Sequence, residues 1–202
     1  MQLQAKELHN VLKFKCKNCG DCCDHTIIQL YPFDIKNICK AKNLTTKQFH
    51  QQYSIFQLDE DKIPRCILKN RPQCPFKEEG CTIYDKRPIR CRLYPLGRVY
   101  QDNEIIHVIS EKTSPGFNTG KKQTIAEWLE QQQVTKFDQL TKQWNQFLIK
   151  QKEVTKSQFY PVIFRKVFYD FDDEKIKNMM NPEKELMDNL YTIFQQLISQ
   201  LR

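Results

Sequence analysis

No stretch of this 202-residue chain approaches the roughly 20 consecutive apolar residues that a membrane-spanning helix needs. The opening MQLQAKELHNVLKFK has neither an apolar h-region nor a small-residue cleavage site, so no secretory leader is expected and the expected compartment is the cytoplasm. No internal repeat and no low-complexity linker divides the sequence. A glycine-rich loop of the kind that cradles a nucleotide or S-adenosylmethionine after a strand is missing, and no nucleophile–base pair stands out. The basic residues are interleaved with acids and glutamines, without the basic–aromatic run of an RNA-binding signature. Cysteine is absent from everything after Cys91. Together these gaps argue against a membrane protein and a nucleic-acid binder, and leave an enzyme only the chemistry that its cysteines supply.

What is present is a globular composition, 40% hydrophobic and 28% charged, at a length suited to one domain with a proper core. Nine cysteines are packed into its first half: eight lie between Cys16 and Cys81, and the ninth is Cys91. In a reducing compartment such clusters are metal sites or catalytic thiols, whereas a disulfide framework would require export. The formal charge of +8 counts every thiol as neutral. Zinc or a 4Fe–4S core held by four thiolates carries two negative charges, so two such sites would take +8 to +4, an ordinary surface balance.

Patterning along the chain suggests a mainly α fold with a small irregular β-hairpin, in which a metal-stapled loop core is followed by C-terminal helices. Pro32-Phe33-Asp34-Ile35 opens a helix with Ile35, Ile38 and Cys39 on one face, which makes Cys39 a buried apolar residue rather than a ligand. Thr45 or Thr46 caps a second helix carrying Phe49 and Tyr53. Leu96–Tyr100 and Ile105–Ile109 read as the hairpin, and Thr124 with Glu127 as a capping box. Phe137, Leu140, Trp144, Phe147 and Leu148 keep helical spacing, and Asn181-Pro182 reads as the start of a last helix striped with Leu186, Leu190, Ile193, Phe194, Leu197 and Leu201. The expected organisation is a cysteine-cluster region over 1–118 and a helical region over 119–202 packed on it, one domain overall.

The strongest chemical signal is Cys16-Lys17-Asn18-Cys19-Gly20-Asp21-Cys22-Cys23. Cysteines three apart on a glycine-relaxed loop can turn their sulfurs toward one centre, as zinc ribbons and ferredoxin loops do. Adjacent Cys22 and Cys23 cannot easily point the same way, so either Cys23 serves a second metal or one of the pair is a spare thiol. A second group, Cys66, Cys74, Cys81 and Cys91, lies in a stretch punctuated by Pro72, Pro75, Gly80, Pro88 and Pro95, as expected of rigid irregular loops. Neither group alone supplies four well-spaced ligands, so the two are expected to meet. His25 is a loop histidine that could ligate metal or donate to a sulfur. Arg87, Arg90 and Arg92 beside Cys91 read either as cations that offset thiolate charge or as a solvated basic strand. Tyr84 and Tyr94 read either as covers over the site or as plain core.

The run at 16–23, followed by Gly80-Cys81-Thr82-Ile83-Tyr84, Arg87-Pro88 and Cys91-Arg92-Leu93-Tyr94-Pro95, resembles the YkgJ-like cysteine-cluster family over about residues 14–148. That family is regarded as a zinc- or iron-chelating domain and has the flagellin lysine N-methylases among its relatives. The resemblance implies Cys16, Cys19, Cys22, Cys23, Cys74, Cys81 and Cys91 as metal ligands. Where relatives often carry Cys-Pro-Gly, this chain reads Ser114-Pro115-Gly116, and Cys66 is the available substitute for the missing eighth sulfur.

Three functions follow as expectations. The first is an iron–sulfur protein, 4Fe–4S favoured, with a redox or metal-handling role, because three cysteines at ferredoxin spacing plus a vicinal fourth exceed what one zinc needs. The second is an iron–sulfur-dependent protein-modifying enzyme similar to the flagellin methylases, acting on a protein partner or substrate. The third is a zinc-stapled interaction module.

Overall fold

A computed structural model describes residues 5–20, 24, 26–70, 72–101, 104–109, 114–151 and 159–200. Its described residues are 46% helical and 22% strand, with three small antiparallel sheets. The expectation of a mainly α fold with one hairpin is therefore corrected. The reason is that most of the added strands are only two to five residues long, and several pair with distant segments, which leaves too short a period-2 signal to see in one sequence. The expected hairpin does form, as β6 (Leu96–Gln101) and β7 (Glu104–Ile109), but β1 (Ala5–Lys6) adds to its free edge. A two-stranded ladder joins β2 (Val11–Phe14) to β8 (Phe117–Thr124). The third sheet orders β3 (Gln29–Leu30), β5 (Pro64–Leu68) and β4 (Ser54–Leu58).

Contacts group the chain into two compact units, each made of two separated stretches. The first unit holds Met1–Ile28 and Asn70–Gln146; the second holds Gln29–Lys69 and Phe147–Arg202. The sequence-based division at 118 followed cysteine content, whereas these units follow packing.

In the first unit, β2 alternates exposed and buried residues and turns Leu12 and Phe14 inward. Phe14 meets Tyr94, Phe117 and Trp128 edge-on, with ring centroids 5.7, 5.3 and 5.2 Å away. Trp128 lies on the helix Ile125–Gln131, which begins at the expected capping box: Thr124 accepts from the Glu127 amide, and the Glu127 carboxylate accepts from Thr124 N–H.

In the second unit, Pro32 opens the helix Pro32–Lys42 as expected, and Ile35, Ile38 and Cys39 are buried on it. Thr45 caps Thr46–Tyr53 through a box with Gln48. Phe164 and Phe168 of the helix Tyr160–Tyr169 pack on Phe147 and Phe194, with centroids 4.8 to 6.2 Å apart. The last helix starts later than Asn181-Pro182 suggested, at Leu186. Asn189 accounts for the delay. Its side chain accepts from Asn181 N–H and donates to the carbonyls of Asn181 and Lys184, which holds residues 181–185 as a turn. Among the described residues no helix is long and apolar enough to cross a membrane.

One titrating group should reveal itself in the stability of the first unit. His107 on β7 stands between Lys6 of β1 and Arg98 of β6 in the ladder register, is 6% exposed, and has no partner for Nε2 among the described residues. Burial, reinforced by the Arg98 guanidinium, pushes its pKa down to about 4. The neutral ring is the folded form, so its contribution is complete above the unfolded value near 6.5 and is lost as pH falls from there to about 4. We expect a loss on the order of 3 kcal/mol across that window, and a flatter profile for His107→Gln. Urea midpoints between pH 7 and pH 4 measure it, and parallel profiles for the two proteins would refute it.

Candidate metal centre

The cysteine loop leaves β2 at Phe14 and turns back on itself at two left-handed residues, Asn18 (φ 54°) and Gly20 (φ 80°). Asparagine tolerates that conformation better than most residues, and glycine has no Cβ to oppose it. The Asn18 side chain crosses to the second cysteine segment, where its Oδ1 accepts a hydrogen bond of 2.9 Å from the Cys81 N–H. Gly80 permits this approach, since a Cβ there would stand 2.5 Å from Asn18 Nδ2. The Lys77 stem covers Gly20 so closely that a Cβ would lie 2.4 Å from its Cδ, while Nζ pairs with Asp24 at 3.1 Å. The two cysteine segments are thus neighbours, as the sequence suggested.

The segment 74–91 is held by turns rather than ladders. Lys77 N–H donates to the Cys74 carbonyl, Thr82 N–H to Phe76, Tyr84 N–H to Cys81 and Cys91 N–H to Pro88. Phe76, Ile83 and Ile89 anchor it inward at 2%, 5% and 1% exposure. It is less irregular than expected at its end, where Cys91 sits on a short helix, Ile89–Leu93.

Cys74 is buried, and Cys16, Cys19, Cys81 and Cys91 are half-buried; all are free thiols. Burial raises the Cys81 pKa, the Ile83 amide opposes that, and the nearby sulfurs of Cys91 and Cys74 raise it further. Such crowding of like groups is what a bound cation would relieve. Burial raises the pKa of the Tyr84 phenol, the Arg87 guanidinium opposes that, and the Cys16 sulfur raises it further. Among the described residues no three Cys, His, Asp or Glu side chains stand close enough to share one ion. Cys22, Cys23 and His25 lie outside the described residues. Ser114 accepts from Gly116 N–H at 3.2 Å, and the Gly116 carbonyl accepts from Lys15 N–H beside Cys16.

Cys66 on β5 and Cys39 on the helix Pro32–Lys42 belong to the second unit, and burial pushes each thiol up to about 12. Cys66 faces His50, whose Nδ1 is 4.0 Å from the sulfur and 2.7 Å from Ser54 Oγ. His50 Nε2–H donates to the Tyr169 carbonyl, which leaves Nδ1 as the acceptor, and burial lowers the pKa of the ring.

Two of the three arginines beside Cys91 are not solvated, while Arg90 is half-buried. Arg87 and Arg92 are 8% and 9% exposed. Arg87 lies over the Tyr84 ring, its Cζ 3.6 Å from the centroid, and donates to the Tyr84 carbonyl and to Gln132 Oε1. Arg92 donates to the carbonyls of Arg87, Gln132 and Asp85. Tyr94 is core, packed on Phe14 and Phe117. Sequence reasoning passed over Asn18 and Gln132. The first could have been suspected as a left-handed residue inside a Cys-x-x-Cys turn; the second carries no local signal.

Thiols on two neighbouring loops are soft donors of the kind that zinc and iron take. The chain belongs to the CxxCxxCC family, described as a putative zinc- or iron-chelating domain, whose model matches residues 15–131. That membership supports metal binding. No curated protein and no solved structure matches the chain.

Asn18 should behave as a positioning residue for this site. Asn18→Ala keeps every cysteine but removes the acceptor for Cys81 N–H, and we expect metal affinity to fall about 10- to 100-fold. Asn18→Asp retains an acceptor and should recover most of it. Chelator competition measures both; an unchanged affinity for Asn18→Ala would dismiss the role.

Proposed function

We propose that the protein holds an iron–sulfur cluster, 4Fe–4S by preference, on thiols drawn from Cys16, Cys19, Cys22, Cys23, Cys74, Cys81 and Cys91, and that this centre serves a redox or metal-handling role. The observation that carries the reading is the hydrogen bond that brings the Cys-x-x-Cys loop against the Cys81 backbone, because it unites two thiol groups neither of which is sufficient alone. Seven sulfurs in one unit exceed the four that a single zinc takes. Such a cluster would bring electron storage or iron to the site. The chain would supply thiolate ligands, a turn that fixes their spacing, and an aromatic and arginine-lined wall that limits water. Cys66 is left out of the set: a thiol pushed up to about 12 by burial holds its proton, and it belongs to the second unit.

Anaerobic purification with an absorption spectrum and with iron, sulfide and zinc analysis tests the reading. A brown protein with sulfide is expected. Cys81→Ala should lose that colour, whereas Cys39→Ala and Cys66→Ala should keep it. A colourless protein with stoichiometric zinc would replace the cluster with a zinc staple.

Metal removal should act unevenly. Residues 72–91 are held by isolated turns and so depend on the site for order, as small metal domains do. The helices Tyr160–Tyr169 and Leu186–Ser199 have their own aromatic core. Hydrogen exchange on chelated protein should show lost protection in 72–91 with the helices retained; equal protection of 72–91 with and without metal would contradict this.

A further inference from the structure

Arg87 presents a charge problem that the described residues do not solve. Arginine carries a permanent positive charge, and this one is 8% exposed. Its polar partners are the Tyr84 carbonyl and the Gln132 side-chain amide, and its flat face rests on the Tyr84 ring. All three are neutral. Among the described residues no carboxylate forms an ion pair with it, whereas Arg98, equally hidden, is paired with Asp138 at 2.6 Å. A buried charge without a counter-charge is among the costlier features a fold can carry.

The groups around Arg87 indicate where the missing charge belongs. Tyr84 N–H donates to the Cys81 carbonyl at 3.2 Å and Cys91 N–H to the Pro88 carbonyl at 3.0 Å, so Arg87 lies on the short stretch tied at both ends to cysteines of the site. Within that stretch the guanidinium rests on the Tyr84 ring, its Cζ 3.6 Å from the centroid. Gln132 holds the outer end, since Arg92 donates to its backbone carbonyl while Arg87 uses its side chain.

We propose that Arg87 is the built-in counter-ion of a net-negative metal–thiolate centre, held in place by its stack on Tyr84. The inference rests on the metal-site reading above and deepens it. It requires thiolates in excess of the charge they bind, as in a tetrathiolate zinc or a 4Fe–4S core, and it makes Arg87 a positioning residue rather than a ligand. Its consequence is a reversal. With metal present the cation is matched and favourable; without metal it is an unmatched charge in a buried position.

The discriminating measurement uses the full-length chain, wild type and Arg87→Met, with and without metal. Methionine keeps the length and the ring contact while removing the charge. With metal, zinc or ferrous iron being the probe, Arg87→Met should bind at least tenfold more weakly in chelator competition and unfold earlier than wild type. Stripped of metal, it should be at least as stable as wild type. A purely structural arginine would be missed equally in both states, so a variant weakened in both, or in neither, overturns the proposal. Arg87→Lys, which keeps the charge but loses the planar stack on Tyr84, should retain more affinity than Arg87→Met; affinity no better than that of Arg87→Met would likewise overturn it. A wild-type protein that binds neither metal would instead defeat the metal-site reading itself, a result distinct from a loaded wild type whose affinity Arg87→Met leaves unchanged.

Discussion

The hydrogen bond from Cys81 N–H to Asn18 Oδ1 is the constraint on which the cysteine site depends. The two segments it joins are 63 residues apart and share no ladder. Residues 16–20 form no regular element, and residues 74–83 are a chain of turns with one isolated bridge between Lys77 and Cys81. Left to themselves, such loops would sample many arrangements. One side-chain amide, lodged over a glycine that leaves it room, fixes the distance between them. Lys77 adds a second point of closure by lying across Gly20 and pairing with Asp24.

Behind this contact the rest of the first unit acts as a frame. The Phe14 aromatic cluster fixes the strand that feeds the loop, and Trp128 reaches the Leu93 carbonyl two residues beyond Cys91. The Arg92–Gln132 contact binds the helix Ile89–Leu93 to the end of the helix Ile125–Gln131. A hollow of about 1120 Å³ lies in the same unit, lined by Leu8, Ile106, His107 and Leu129 among others, and contains no cysteine. The two cysteine loops are thus pressed on a packed backing, which is how a site built from short turns keeps its geometry.

What was legible in the sequence divides by range. Local signals were read well. Thr45 and Thr124 cap helices because a hydroxyl three residues before Gln or Glu satisfies orphan amides within one turn, and that information is local. Cys39 falls on the buried face of its helix because the 3.6-residue period places it beside Ile35 and Ile38. The cysteine motif was visible for the same reason. Long-range features were not. β1 pairs two residues with a strand a hundred positions away, and nothing in Ala5-Lys6 announces it. Asn189 delays the last helix by holding a turn eight residues earlier, overriding the proline that read as its start. The burial of Arg87 and Arg92 was equally hidden, since a basic stretch looks solvated until the carbonyls that receive it are known.

The interleaving of the two units has a consequence for the order of events during synthesis. Residues 29–69 belong to the second unit yet separate the cysteine loop of the first from its partner segment. Cys16 thus leaves the ribosome 75 positions ahead of Cys91 (91 − 16), and at typical elongation rates the interval is about 4–15 s. Throughout it the leading thiols have neither Asn18 latched on Cys81 nor Arg87 behind Tyr84. The nascent chain therefore passes through a stage in which its most reactive residues are also its least protected, and the oxidant level and metal supply at that moment bear on the yield of correctly assembled protein.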